Sequence, residues 1–295
     1  MNQNEIYQTV TDKILKQLNQ GKIPWRKPWT ASGMVPQNFL TKRQYSGVNQ
    51  ILLSMTEFSS PYWLTFNQIR DLGGAVLKGA KSEIIVFWKI LEIKDSETGK
   101  NGKIPFLKYF NVFNVEQTSG LEDKIPTATT ALEFNSIEKC EEILKGYQGC
   151  PVIRHGGDIA GYSPALDVIQ MPAKSAFKSS QSYYGVLLHE VIHSSGSKNR
   201  LAREGVMNVQ RFSNHIGSME ELIAECGSSF LLAQAGIDNN DIFENSVAYI
   251  QSWIKVFQND PKILITAAGR ASKAVDFILG KRVQAENDNI LKMAA

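Results

Sequence analysis

The run YYGVLLHEVIHSSG, Tyr183 to Gly196, limits what this chain can fold into more than any other. It sets His189 and His193 four residues apart, with Glu190 directly after the first histidine. On an α-helix, positions i and i+4 share a face, so the two imidazoles converge on one point while the carboxylate lies beside it. Two neutral nitrogens and a third protein ligand leave one coordination position for water, whose pKa a bound zinc pulls towards neutrality. The adjacent glutamate can take that water's proton and pass it to a leaving amine. The pattern therefore predicts a helix over about 181–195 that holds a divalent metal, Zn2+ or another divalent ion, with Glu190 as catalytic base. Gly196 should end that helix.

A third ligand has to come from another element. MEELIAECGSSFLLAQAG reads as a helix whose Leu222, Ile223, Phe230 and Leu231 suit burial. Glu221 and Glu225 share one of its faces, so one can bind the metal while the other accepts a hydrogen bond from a ligand imidazole. Glu220 is turned about a hundred degrees away and is expected in solvent. His215 could serve as the third ligand or stabilise an oxyanion, but a histidine in a polar loop is more often neither, and His155 has no partner visible in the sequence. Shortly before the metal helix, DVIQMP reads as a short strand, Asp167–Met171, ended by Pro172. It is placed to be the edge strand along which a peptide aligns by backbone pairing.

Elsewhere the periodicities indicate an α+β chain. Ile6, Val10, Ile14 and Leu18 recur every four residues and predict a helix over 3–20. Short helices fit 46–58 and 65–72, the second stopped by Gly73-Gly74. SEIIVFWKILE and PFLKYFNVFNV read as two strands of a hairpin about the polar turn KDSETGKNGK. Further helices are expected at 134–146, 218–235, 241–258 and 261–279, with a frayed tail KRVQAENDNILKMAA. A length of 295 residues favours two domains, and the polar, proline-punctuated QTSGLEDKIPTATT places the boundary near residue 125. The expected units are a mixed α/β domain over 1–125 and a mostly helical domain with a small sheet over 126–295.

Charge separates these halves. Residues 1–125 hold 16 Lys and Arg against 11 Asp and Glu, a net +5, whereas the remainder is −2. A basic front invites a polyanion. In PWRKPW, Trp25 and Trp29 interleave with Arg26 and Lys27, and Lys42, Arg43 and Tyr45 repeat the theme. Rings that stack unpaired bases, with cations that hold phosphates, make a sequence-tolerant site for single-stranded DNA. The same aromatics also suit a core, since they bury large areas. Cys140, Cys150 and Cys226 are an odd, sparse set that fits a reducing cytoplasm better than a disulfide framework. No apolar run approaches the roughly 20 residues that span a bilayer, so no membrane role is expected.

EIYQTVTDKILKQL, GKIPWRKPW, YSGVNQILL, YWLTFNQIRDLGGAVLKGAKSEIIVFWK, YSPALDVIQMP, LLHEVIHSSGSKNRL and EELIAECGSSFL follow one another in that order. Together they resemble the ArdC antirestriction proteins of conjugative plasmids and other mobile elements, over nearly the whole chain. The resemblance implies an N-terminal domain that binds single-stranded DNA and a C-terminal zincin-like metallopeptidase domain. It implies protection of incoming DNA from restriction during conjugation. It also makes His189 and His193 the metal histidines, Glu190 the catalytic glutamate and Glu221, rather than Glu225, the third ligand. Two other readings stay open: a regulatory zinc metalloprotease acting on a protein substrate or restriction component, and a non-enzymatic DNA-protecting module with a structural metal.

Overall fold

The structure, a computed structural model, describes residues 1–30, 33–94, 101–126, 136–208, 214–237 and 247–281. Helix α1 (Gln3–Asn19) opens with a capping box, in which the Asn2 side chain and Glu5 each accept the other's backbone N–H. Its buried stripe is the expected Ile6, Val10, Ile14 and Leu18. A single 3₁₀ turn at Pro24–Arg26 follows. Then come strand β1 (Gln37–Asn38), helix α2 (Val48–Ser54), β2 (Tyr62–Leu64), α3 (Phe66–Asp71) and β3 (Ala75–Val76). The long hairpin is β4 (Glu83–Lys94) with β5 (Asn101–Asn114), in antiparallel register from Glu83 opposite Val112 to Lys94 opposite Asn101. The strands thus run further than the sequence pattern marked, and residues 95–100 of the expected turn lie outside the described residues. β6 (Thr118–Ser119) pairs with β3, and a four-stranded sheet has the order β1-β2-β5-β4.

The rear half begins with α4 (Ser136–Gly146) and a three-stranded sheet of β7 (Val152–His155), β8 (Gly161–Ser163) and β9 (Val168–Met171). Helices α5 (Ser180–Ser194), α6 (Glu204–Met207), α7 (Asn214–Ala235), α8 (Val247–Asn259) and α9 (Ile263–Ile278) complete it. Residues 241–246 of the helix expected at 241–258 and the tail beyond Lys281 lie outside the described residues. The α+β class is as expected, with small sheets and a largely helical rear.

The strand order overturns one expectation. β9 is the central strand, paired parallel to β7 and antiparallel to β8, so it has no free edge for a peptide. Its Ile169 and Met171 are fully buried. The outer strands of this sheet are β7 and β8, and β8 is a glycine-led run of three residues too short to show an alternating pattern.

One hydrophobic core runs through both halves. Ile6, Val10, Ile14 and Leu18 join Trp253, Phe257 and the apolar faces of α7 and α9. The Thr11 hydroxyl donates to Pro261 O across the same contact (2.9 Å). Two smaller clusters fill the front, around Leu64 and Ile69 and around Trp63 and Val112. Burial is the main favourable term in folding, so this shared core ties the front to the rear. Among the described residues no helix is long and apolar enough to cross a membrane.

Candidate metal centre

Helix α5 carries HExxH into the core. Its N-cap Ser179 accepts the N–H of Ser182, and Leu187, Leu188, Val191 and Ile192 are buried. Helix α7 lies against it, and Gly227 permits the close approach: a Cβ there would stand 2.7 Å from Ile192 Cδ1. Contact this tight fixes the rotation of each helix about its axis, which aims the site residues at one another.

His189 Nε2 and His193 Nε2 are 3.1 Å apart. Glu221 Oε2 lies 3.5 Å from His189 Nε2, and Glu221 Oε1 lies 3.6 Å from His193 Nε2. Ligands about 2.0–2.1 Å from a tetrahedral ion stand about 3.3–3.4 Å from one another, so these three donors fit a divalent transition metal. Glu225 is not part of this triangle. Among the described residues these three form the one group of His, Cys, Asp or Glu whose donor atoms converge closely enough to hold an ion. When bound there, the metal would activate a water and polarise a carbonyl.

Polar ties hold the donors in place. His193 Nδ1–H donates to Glu220 Oε1 (3.1 Å), which leaves the Nε2 lone pair for the metal. Glu220 is in turn gripped by Arg203, whose Nη2 donates to Oε1 (2.8 Å) and Nε to Oε2 (3.0 Å). Arg203 also caps the end of α5, with Nη2 to Ile192 O (2.7 Å) and Nη1 to Ser195 Oγ (2.8 Å). Burial alone would raise the Glu220 pKa, but the hydrogen bonds from His193 and Arg203 outweigh it and hold the carboxyl below its ordinary range. Partial burial likewise works against Glu221, and the His189 hydrogen bond with the two nearby imidazoles lowers its pKa. For His189, burial acts to lower the pKa, yet the Glu221 hydrogen bond and the charges of Glu190, Glu221 and Glu225 leave it raised. Glu190 is nearly buried, and its Oε2 accepts the backbone N–H of Tyr162 in β8 (2.8 Å). That bond fixes the carboxylate beside the donor triangle.

Two expected roles change hands. Glu220, read as solvated, is only 4% exposed and is the partner of the ligand imidazole. The reason is that α7 is buried around most of its circumference, so the position a hundred degrees from Glu221 faces α6 and Arg203 instead of water. Glu225, read as the imidazole's partner, instead accepts Trp25 Nε1–H (2.8 Å) and the Tyr249 hydroxyl. His215 pairs with Asp260 (3.0 Å) at an exposed position and is not among the converging donors. His155 does have a partner: it stacks on Tyr183 and hydrogen-bonds its hydroxyl (2.9 Å). Arg203 gave no sequence signal beyond following the motif by ten residues.

The aromatic front divides. Trp25 is fully buried, edge-on to Trp253 and Phe257 at 5.6 and 5.5 Å, so it has no face to offer a base. Trp29 is also buried, at 6% exposure. Arg26 lies over the Tyr249 ring (5.2 Å) and lines a cavity of about 170 Å3 that reaches His189 and Glu225. Of that segment's four candidates only Lys27 is exposed. Lys42 is exposed, whereas Arg43 and Tyr45 are half-buried, and burial pushes the Tyr45 phenol up to about 12.

An HExxH helix that faces a glutamate on the following long helix defines a zincin-like metal site. Comparison with known proteins agrees: residues 138–270 match a zincin-like metallopeptidase family, and residues 4–113 match the N-terminal domain of anti-restriction factor ArdC. The metal-free crystal structure of antirestriction ArdC from plasmid R388 is 33% identical, with a TM-score of 0.73 over 93% of this chain and 97% of that one. Its Mn(II)-bound structure is similar at 32% identity and the same TM-score, over 95% and 99%. The chain belongs to the ArdC antirestriction family. It is also 30% identical to the uncharacterized protein y4eC of Sinorhizobium fredii, over 97% of this chain and 95% of that one. Two Escherichia coli proteins named DNA primase TraC are 33% and 31% identical over 92% and 94% of this chain, which spans 27% and 20% of their length.

Proposed function

We propose that this protein shields incoming DNA from restriction during conjugation by binding single-stranded DNA, and that it carries a working zinc peptidase site. The convergence of His189, His193 and Glu221 beside a fixed Glu190 supports the second part most strongly. Two imidazoles with one carboxylate suit zinc, and the R388 relative, which has an Mn(II)-bound structure, supports a divalent metal without fixing which one. Glu190 is positioned to hold the proton of an attacking water through the oxygen that Tyr162 does not occupy. DNA binding is supported by the matched N-terminal domain and the net +5 of residues 1–125. The unpaired Cys140, Cys150 and Cys226 fit a cytoplasmic setting.

The test combines metal analysis, single-strand binding and protection from restriction for wild type and Glu190→Gln. The proposal expects one divalent metal per chain and salt-dependent binding of single-stranded oligonucleotides by both proteins. Peptide-bond cleavage, once a substrate is found, should require Glu190. Absence of oligonucleotide binding at low salt would remove the DNA half; cleavage untouched by Glu190→Gln would remove the metal-water chemistry.

A further inference from the structure

Away from the metal cavity, a cleft of about 640 Å3 lies between the two halves of the molecule. Lys42, Arg43 and Gln44 stand on its front side, and Gln234, Asp276 and Lys281 on its rear side. The walls are tied together: the Gly47 N–H donates to Ser272 Oγ (2.8 Å), and Gln234 Nε2 donates to Gln44 Oε1 (3.2 Å). The cleft is therefore built before any ligand arrives, and its volume falls within the range of preformed ligand sites.

The front rim is unusually well fixed. Asn38, only 2% exposed, winds a turn about its side chain, accepting the N–H groups of Leu40 and Thr41 on Oδ1 (both 3.0 Å). Its backbone closes the turn through Arg43 O (2.9 Å) and the Lys42 N–H (2.9 Å). Lys42 sits at φ 58°, a left-handed conformation that side chains rarely adopt. Such strain persists where the surroundings over-determine it and gathers at functional positions. The Lys42 ammonium is held over the rings of Phe39 (4.1 Å) and Tyr62 (4.5 Å), which limits where it can point.

Three cations against one carboxylate, separated by neutral amides, match a chain of phosphates that carries hydrogen-bonding bases. We infer that this cleft holds one or two nucleotides of the single strand, so that the rear half supplies part of the DNA site through Lys281 and Gln234. The inference rests on the DNA-binding reading above and adds to it that the site is not confined to the front half.

The experiment uses the full chain and a labelled oligothymidylate, with affinity read by fluorescence anisotropy over a salt series. Lys42→Gly, which keeps the left-handed backbone at no steric cost, and Lys281→Glu should each weaken binding by roughly tenfold near 0.1 M salt. Each should also lower the salt slope by about 0.7 per cation removed. Asp276→Asn should act in the opposite direction and tighten binding severalfold. That reversal cannot come from a misfolded variant. Cross-links from a photoreactive oligonucleotide should reach peptides spanning residues 42–46 and 272–281. Wild-type affinity in Lys281→Glu and Asp276→Asn, with cross-links confined to the front half, overturns the inference while leaving DNA binding intact. No binding by the wild type at low salt would instead overturn the DNA reading itself.

Discussion

The metal helices α5 and α7 and the segment Pro24–Trp29 meet at Glu225, yet they are held by different forces. The metal centre is ordered by a polar chain, from Arg203 to Glu220 to His193, with Tyr162 fixing Glu190. The Pro24–Trp29 segment is ordered mainly by burial, with Trp25 sunk among Trp253 and Phe257, its indole N–H donating to Glu225 and the Pro28 carbonyl accepting from Gln50. The two regions should therefore fail in different ways. Damage to the segment should appear as lost stability, and damage to the polar chain as lost metal affinity.

The most disruptive change should be Trp25→Ala. Removing a fully buried indole is expected to cost about 3–5 kcal/mol, read as a lower midpoint in denaturant. If Trp25→Ala weakened DNA binding at unchanged stability, the comparison would break, because the ring would then be acting on a ligand. Next comes Glu220→Gln, which removes the charge that orients His193. Metal affinity should fall about 10–100-fold, measured on folded protein by competition with a chromogenic chelator. An unchanged affinity would show that the polar chain does not organise the site.

The smallest effect concerns acid. Arg200 donates to both oxygens of Asp167 (2.8 and 2.9 Å) and ties the loop before β9 to the end of α5. The Arg200 hydrogen bond, stronger than the opposing effect of partial burial, holds the Asp167 carboxyl below its ordinary range. A depressed pKa gives stability that is present above the unfolded carboxyl value, near pH 4, and is lost as pH falls through the folded one. Asp167→Asn should therefore lower Tm by a few degrees at neutral pH and flatten its decline below about pH 4. An unaltered acid profile would mean that the bridge contributes nothing, as many exposed pairs do not.

What the sequence made legible follows the same division. Spacing within one element was enough for α1, for the β4–β5 hairpin and for the convergence of His189 with His193, because helix and strand periods fix which side chains share a face. Roles that depend on a second element were not readable. Glu220 and Glu225 differ by five residues on one helix, and only the packing of α6 and of Pro24–Trp29 decides which meets the imidazole. β7 and β8 escaped because short runs among glycines show no alternation, and without them β9 looked like an edge. The tryptophans of PWRKPW suited a stacking platform and a core equally well by composition. Packing decides it: Trp25 lies against Trp253 and Phe257 of α8, and Trp29 is buried as well.

His189, His193 and Glu221 together should form one metal site. Metal content measured after purification in zinc tests it most directly, with wild type, Glu221→Ala and Glu225→Gln compared side by side. One zinc per chain in wild type and Glu225→Gln, and loss of the metal from Glu221→Ala, is the predicted result. Zinc retained by Glu221→Ala and lost from Glu225→Gln would contradict it.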